Sequence, residues 1–157
     1  MLWYFAYGSN LLIEQMIART GESCHGGHRP RFARLADHRL VFQRLTPAGT
    51  AFANIVSPGD GVLGVVYSCS PAALDRLDDY ERGYTRQLIR VTDHRGEVLE
   101  ALAYVMTATM AASLGRPSDD YLKKIVDGAR QHGLPEQYIG NVVATASVGF
   151  SPEGRSE

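Results

Sequence analysis

Two short stretches combine residue types and spacings suited to catalysis. The first is Tyr7-Gly-Ser-Asn-Leu11. A glycine between a strand and a helix lets the backbone turn sharply and lets a ligand come close to it. The N–H groups that follow converge at a helix start, where a carboxylate, a phosphate or a developing oxyanion is favoured. The second is Leu77-Asp-Asp-Tyr-Glu-Arg-Gly-Tyr84. Asp78 and Glu81 stand three apart, which on a helix puts both carboxylates on one face, with aromatic residues flanking them. A like charge nearby and partial burial both raise a carboxyl pKa, and a raised pKa suits proton transfer near neutrality. As patterns alone, the first stretch also reads as a plain turn with an asparagine cap. The second also reads as a solvated acidic helix end.

The more familiar machinery is missing: there is no G-x-S-x-G elbow, no P-loop and no dinucleotide-binding fingerprint. Cys24-His-Gly-Gly-His28 supplies at most three metal ligands within five residues, whereas ligand sets are usually divided between two elements, so it reads as a polar surface loop. Cys24 and His25 are adjacent and do not face each other as a nucleophile and its base must. His38, His94 and His132 are scattered over a strand end, a turn and a helix end and read as solvated.

The elements that must position the two stretches follow from hydrophobic patterning. Leu2–Tyr7 is short and aromatic and predicts a buried strand. Leu11–Thr20 has helical spacing, with Asn10 as its cap and Gly21 as its stop. Residues 32–45 predict one or two strands. Phe52–Val56 and Val62–Ser68, joined by Ser57-Pro-Gly-Asp-Gly61, predict a hairpin. Ser70-Pro71 opens a helix running to about Glu81, ended by Gly83. Gln87–Thr92 and Val98–Thr107 predict a second hairpin around Asp93-His-Arg-Gly96. Ser118 opens a further helix whose Leu122, Ile125, Val126 and Ala129 form one face, and Gly133 stops it. Pro135 starts a last helical stretch to about Ala146. Strands in hairpins with helices at intervals predict an α+β domain around a mostly antiparallel, barrel-like sheet, spanning residues 1–150, with a frayed, disordered tail at 151–157.

The chain has 157 residues, enough for one domain that buries roughly 70% of its unfolded surface. Apolar residues make up 45% and charged residues 21%, which is ordinary for a globular protein. Sixteen basic and 17 acidic side chains leave a net charge of −1, which argues against nucleic acid and anionic membrane as partners. No run approaches the roughly 20 apolar residues of a membrane span, and the N-terminus does not read as a leader. Two cysteines favour a reducing compartment, the cytoplasm. Oligomeric state stays open, a homodimer included.

Tyr4-Phe-Ala-Tyr-Gly-Ser-Asn-Leu-Leu12 resembles the opening signature of the γ-glutamylcyclotransferase family. Gly64-Val-Val-Tyr67, Leu77-Asp-x-x-Glu81, Ala103-Tyr-Val-Met106 and the run from Tyr121 to Gly133-Leu-Pro135 resemble later family segments, in order, over residues 2–140. The resemblance implies a small mixed fold around a β-barrel, without metal or cofactor, acting on a small-molecule γ-glutamyl substrate. Family members cyclise γ-glutamyl-amino acids or γ-glutamyl-amines to 5-oxoproline. Carried over, Tyr7, Gly8, Ser9, Asn10 and Leu11 form the loop gripping the γ-glutamyl group, and Glu81 is the acid/base. Tyr104 and Tyr121 match pocket tyrosines; Tyr84 matches another less closely, because only Arg82 and Gly83 separate it from Glu81. A glutathione-specific branch has leucine where this chain has Asn10, which points away from glutathione as the preferred substrate. Removal of a γ-glutamyl group from a natural product or amine, and non-catalytic γ-glutamyl binding, are the alternative readings.

Overall fold

The structure is a computed structural model and describes residues 2–22, 28–45, 49–107 and 111–148. The expected tail and residues 23–27 of the Cys24–His28 loop lie outside the described residues. The aromatic opening run forms β1 (Leu2–Ala6), in which Tyr4, Phe5 and Ala6 are buried. A single 3-10 turn, Ser9–Leu11, follows, and then α1 (Ile13–Thr20). The expected stop is present: Gly21 sits at φ 86, a region that glycine enters without a Cβ clash, and its N–H reaches the Ile17 carbonyl at 2.7 Å. The expected start is not. Asn10 is buried and donates from Nδ2 to Tyr4 Oη at 2.9 Å, so its side chain faces β1 and Leu12 takes the cap position without a side-chain bond.

Residues 32–45 lie mostly in two strands, β2 (Arg31–Leu35) and β3 (Arg39–Arg44). β4 (Ala51–Val56) and β5 (Val62–Cys69) are both present, but they do not form the expected hairpin. β4 pairs with β3 in a separate two-stranded sheet, whereas β5 pairs with β1 and β2. The Ser57–Gly61 segment joins the two strands, but β5, the more thoroughly buried of them, closes into the barrel and leaves β4 to β3. Gly59, Gly61 and Gly64 do have the spacing of a dinucleotide fingerprint. The segment enters β5 instead of opening a helix, so it lacks the N-terminus such a site requires.

α2 (Pro71–Asp78) is capped by Ser70, whose hydroxyl accepts from Ala73 N. It ends three residues before Glu81. β6 (Tyr84–Asp93) and β7 (Val98–Met106) make the expected second hairpin, paired from Tyr84↔Met106 to Thr92↔Val98. α3 (Asp119–Gln131) and α4 (Glu136–Val148) complete the fold, with Ser118 accepting from Tyr121 N as the cap of α3. The barrel closes in the order β1-β5-β2-β6-β7, and β1 meets β7 in parallel through Tyr4↔Leu102. Every other barrel pairing is antiparallel. This is the α+β barrel with flanking helices that the pattern predicts.

One close approach anchors the Ser9–Leu11 turn to α3. A Cβ built on Gly128 would lie 2.4 Å from Leu12 N and 2.5 Å from the Leu11 carbonyl carbon. Backbone cannot yield as a flexible side chain can. Gly128→Ala is therefore expected to destabilise the protein by about 1–3 kcal/mol, an overpacking cost read as a lower urea midpoint. An unchanged midpoint would show that α3 and the turn can move apart freely.

Candidate active site

Most of the two stretches singled out for chemistry converges on one cavity of about 320 Å³. Its wall includes Tyr7, Gly8, Ser9 and Asn10 on one side and Glu81 and Tyr84 on another, with Tyr104 from β7 and Tyr121 from α3. Asp78 is absent from the lining, and so is Leu11, which is 1% exposed and packed as an anchor beneath α3. A contiguous motif does not make every member face the ligand.

The turn is held from beneath. Tyr67 Oη donates to the Asn10 carbonyl at 2.9 Å, and His132 Nε2 donates to the Leu11 carbonyl at 2.8 Å. His132 is thus half-buried, not solvated as its position suggested, and burial lowers its pKa so that it stays neutral. The N–H groups of Leu11 and Leu12 return to the Gly8 and Ser9 carbonyls. Those of Gly8, Ser9 and Asn10 have no acceptor among the described residues. Gly8 has φ −112, so its role is space, not a left-handed turn. A Cβ there would stand 3.3 Å from Tyr121 Oη and 3.4 Å from Ala53 Cβ. Gly8→Val, with two further methyls, is expected to raise the dissociation constant of a γ-glutamyl ligand at least about tenfold, measured by calorimetry, because a lost or blocked polar contact costs about 1–3 kcal/mol. Unchanged affinity would mean that the turn does not contact the ligand.

The tyrosines form a wall with committed hydroxyls. Tyr7 Oη donates to the Tyr104 carbonyl, and Tyr84 Oη donates to the Ala53 carbonyl, both at 2.5 Å. Tyr121 Oη accepts from Ala53 N at 3.0 Å, so Tyr84 and Tyr121 strap β4 to the cavity. Tyr104 Oη donates to Asp78 Oδ1 at 2.6 Å. Burial raises the pKa of Tyr7, Tyr84, Tyr104 and Tyr121, so all four remain neutral near physiological pH.

The two carboxylates part company. They do not share a helix face, because α2 ends at Asp78 and Glu81 lies in the turn beyond it. Asp78 faces outward and is clamped by Arg86, Nε to Oδ1 at 2.9 Å and Nη2 to Oδ2 at 2.8 Å. Desolvation alone would raise its pKa; the Arg86 and Tyr104 bonds outweigh that and hold it below the usual carboxylate range. Glu81 points into the cavity with its side chain 16% exposed. Among the described residues its carboxylate has no hydrogen-bond donor, and its one ion-pair contact is Arg19 Nη1 at 3.8 Å. Burial pushes its pKa up to about 7; Arg19 opposes this, and Asp78 adds to it as the smallest of the three causes. Glu81 is thus a group in a cleft able to give and take a proton near neutrality.

Sequence reasoning missed several lining residues. Tyr4, Gln15, Arg19 and Tyr80 all border the cavity. Gln15 and Arg19 are one helical turn apart on α1, and both donate to Asn10 Oδ1 at 3.1 Å. That i, i+4 pair beside the glycine turn was the available signal.

Comparison with known proteins agrees with this geometry. The model of the AIG2-like family matches residues 61–142. Proteins named gamma-glutamylcyclotransferase from Mus musculus and Homo sapiens are 33% and 34% identical over 145 residues, covering 86% of this chain and 73% of theirs. A solved structure named gamma-glutamyl cyclotransferase superposes with a TM-score of 0.79 at 32% identity, over 91% of this chain and 86% of that one. YkqA from Bacillus subtilis shares the fold at a TM-score of 0.78 and 22% identity, over 93% of this chain and 54% of its own. With a family model over more than half its length and relatives a third identical over most of it, the chain belongs to the gamma-glutamylcyclotransferase, AIG2-like family.

Proposed function

We propose that the protein is an enzyme that cyclises a γ-glutamyl group to 5-oxoproline and releases the amino acid or amine attached to it. The observation that carries this reading is the buried Glu81 carboxylate, raised to about 7, in the same cavity as the Gly8–Asn10 turn. The reaction is an attack by the substrate's own α-amine on its γ-carbonyl carbon. A five-membered ring closes, so the substrate supplies its own nucleophile and a pocket that curls it gains effective molarity on the order of 10⁵ M. The missing nucleophile–base triad fits such a reaction.

Glu81 enters as a carboxylate and takes a proton from the α-ammonium, which is largely protonated near neutral pH. The amine nitrogen then bonds to the carbonyl carbon, and the carbonyl electrons move to oxygen. The N–H groups of Gly8, Ser9 and Asn10, which have no acceptor among the described residues, are the donors we assign to that oxyanion; one such donor is worth about 3 kcal/mol. Glu81, now protonated, gives its proton to the leaving nitrogen; the amide C–N bond breaks, the carbonyl re-forms, and the second proton of the ring nitrogen passes through the Glu81 carboxylate to the released amine, which departs as an ammonium. Carboxylate, 5-oxoproline and free amine or amino acid result. Tyr7, Tyr84, Tyr104 and Tyr121 keep water from the carboxylate and shape the pocket. Its volume of about 320 Å³ falls at the small end of small-molecule sites, suiting a dipeptide-sized ligand. The thiol of Cys69 is buried and the chain holds two cysteines, which suits a reducing cytoplasm.

A panel of γ-glutamyl dipeptides, glutathione and γ-glutamyl-amines, read by 5-oxoproline release, tests this reading. Stoichiometric 5-oxoproline and free amine from a γ-glutamyl dipeptide is the expected result. Release of free glutamate, or no turnover of any member while binding persists, would contradict it.

A further inference from the structure

Two carboxylates and two arginines meet at opposite ends of the same short turn, and their geometries differ. Asp78 and Arg86 form a close, two-pronged pair, 2.8 and 2.9 Å, which fills carboxylate lone pairs and keeps that acid ionised and inert. Glu81 and Arg19 stand 3.8 Å apart, too far for a hydrogen bond. At that distance the guanidinium supplies charge but leaves the carboxylate oxygens open to a proton.

Arg19 is also fixed on both flanks of the cavity. Its Nη1 donates to Asn10 Oδ1 at 3.1 Å, on the glycine turn. Its guanidinium carbon lies 4.7 Å above the Tyr80 ring, next to Glu81 in the chain. Among the described residues, the other groups facing Glu81 offer no compensating charge. Tyr4 and Tyr7 at β1, Tyr84 on β6, Tyr104 on β7 and Tyr121 on α3 are neutral, and Asp78, which faces outward, acts on Glu81 only as a nearby anion. Arg82, Lys124 and Asp120 border the cavity, yet among the described residues none lies within ion-pair distance of Glu81.

Resting on the reading of Glu81 as the acid/base, we propose that Arg19 is a positioning residue for the reaction: its guanidinium favours the carboxylate form of Glu81 in the buried cleft and fixes that group against the Asn10 side of the substrate turn. Removing the cation disfavours the carboxylate, so the Glu81 ionisation must move to higher pH. The acid limb of the kcat/KM profile must move with it.

The test uses Arg19→Gln, which keeps a donor for Asn10 and removes the charge, and Arg19→Lys, which keeps the charge. The Glu81 carboxyl is titrated directly by ¹³C NMR in the substrate-free protein and assigned by its loss in Glu81→Gln. In Arg19→Gln the ionisation is expected to rise by about one pH unit or more, with roughly tenfold lower kcat/KM below neutrality and recovery at alkaline pH. Arg19→Lys, whose ammonium keeps both the charge and a donor for Asn10, is expected to leave the titration and kcat/KM near the parent values. A folded Arg19→Gln with unmoved titration overturns the proposal. If Arg19→Gln does not fold, Arg19→Lys decides: retained titration supports the role, and an upward shift as large as charge removal would give overturns it. The titration needs no turnover. Failure of the Glu81 reading itself shows separately, as undiminished 5-oxoproline release by Glu81→Gln.

Discussion

Glu81→Gln is expected to be more stable than the parent protein at mildly alkaline pH, and no more stable in acid. The sign follows from linkage. The Glu81 pKa rises from the ordinary 4.5 to about 7 on folding, so between those values the folded protein holds a proton that the unfolded chain has released. Stability from this group is fully present below the lower value and is lost as pH rises through the upper one. Glu81 is 16% exposed, so solvent screening removes little of the effect. The loss amounts to about 3 kcal/mol above neutrality, a large share of a typical 5–15 kcal/mol. Glutamine resembles the protonated acid at every pH and carries no such loss. Urea unfolding of both proteins at about pH 5 and about pH 8 should give nearly equal stabilities at the lower pH and a variant more stable by about 2–3 kcal/mol at the higher. Parallel pH dependences in the two proteins would mean that Glu81 is an ordinary solvated carboxylate.

The same substitution is expected to lower kcat by about 10³-fold or more, since general acid–base catalysis contributes about 10²–10⁴-fold and Glu81 acts in both directions. KM for a γ-glutamyl dipeptide should change little, because the Gly8–Asn10 turn and the tyrosine wall stay in place. A residue that costs stability and is needed for turnover marks a site kept for function. The stability arm and the activity arm use different readouts, so one can fail without the other. Full activity in Glu81→Gln would remove the carboxylate from the mechanism whatever its effect on unfolding.

What could be read from sequence was local. β1, the β6–β7 hairpin and α3 follow from patterns completed within a few residues: an aromatic run, two strands around Asp93-His-Arg-Gly96, a serine cap before an apolar face. The β4–β5 pairing was misread because turn residues determine where the chain reverses, whereas β4's partner, β3, is chosen by the closure of the barrel beside it. Asn10 was misread as a cap because its local chemistry allows one, but Tyr4, Gln15 and Arg19 all compete for the same side chain. Glu81 was found through its segment, although the helix stops short of it. That displacement into the turn aims it at the cavity while Asp78 faces Arg86. Leu11 entered the site list through its place in the motif, and its apolar side chain went to the core. Arg19 went unseen because its importance lies in a contact with a residue 62 positions away.

The central claim is that one carboxylate, Glu81, carries the proton in a ring closure driven by the substrate's own amine. Its most direct test sets the ionisation of the Glu81 carboxyl, followed spectroscopically in the free enzyme, against the acid limb of kcat/KM for 5-oxoproline release. A single ionisation at about 7 in both measurements is the expected result. A carboxyl that titrates in the ordinary range while activity falls off elsewhere would contradict the account.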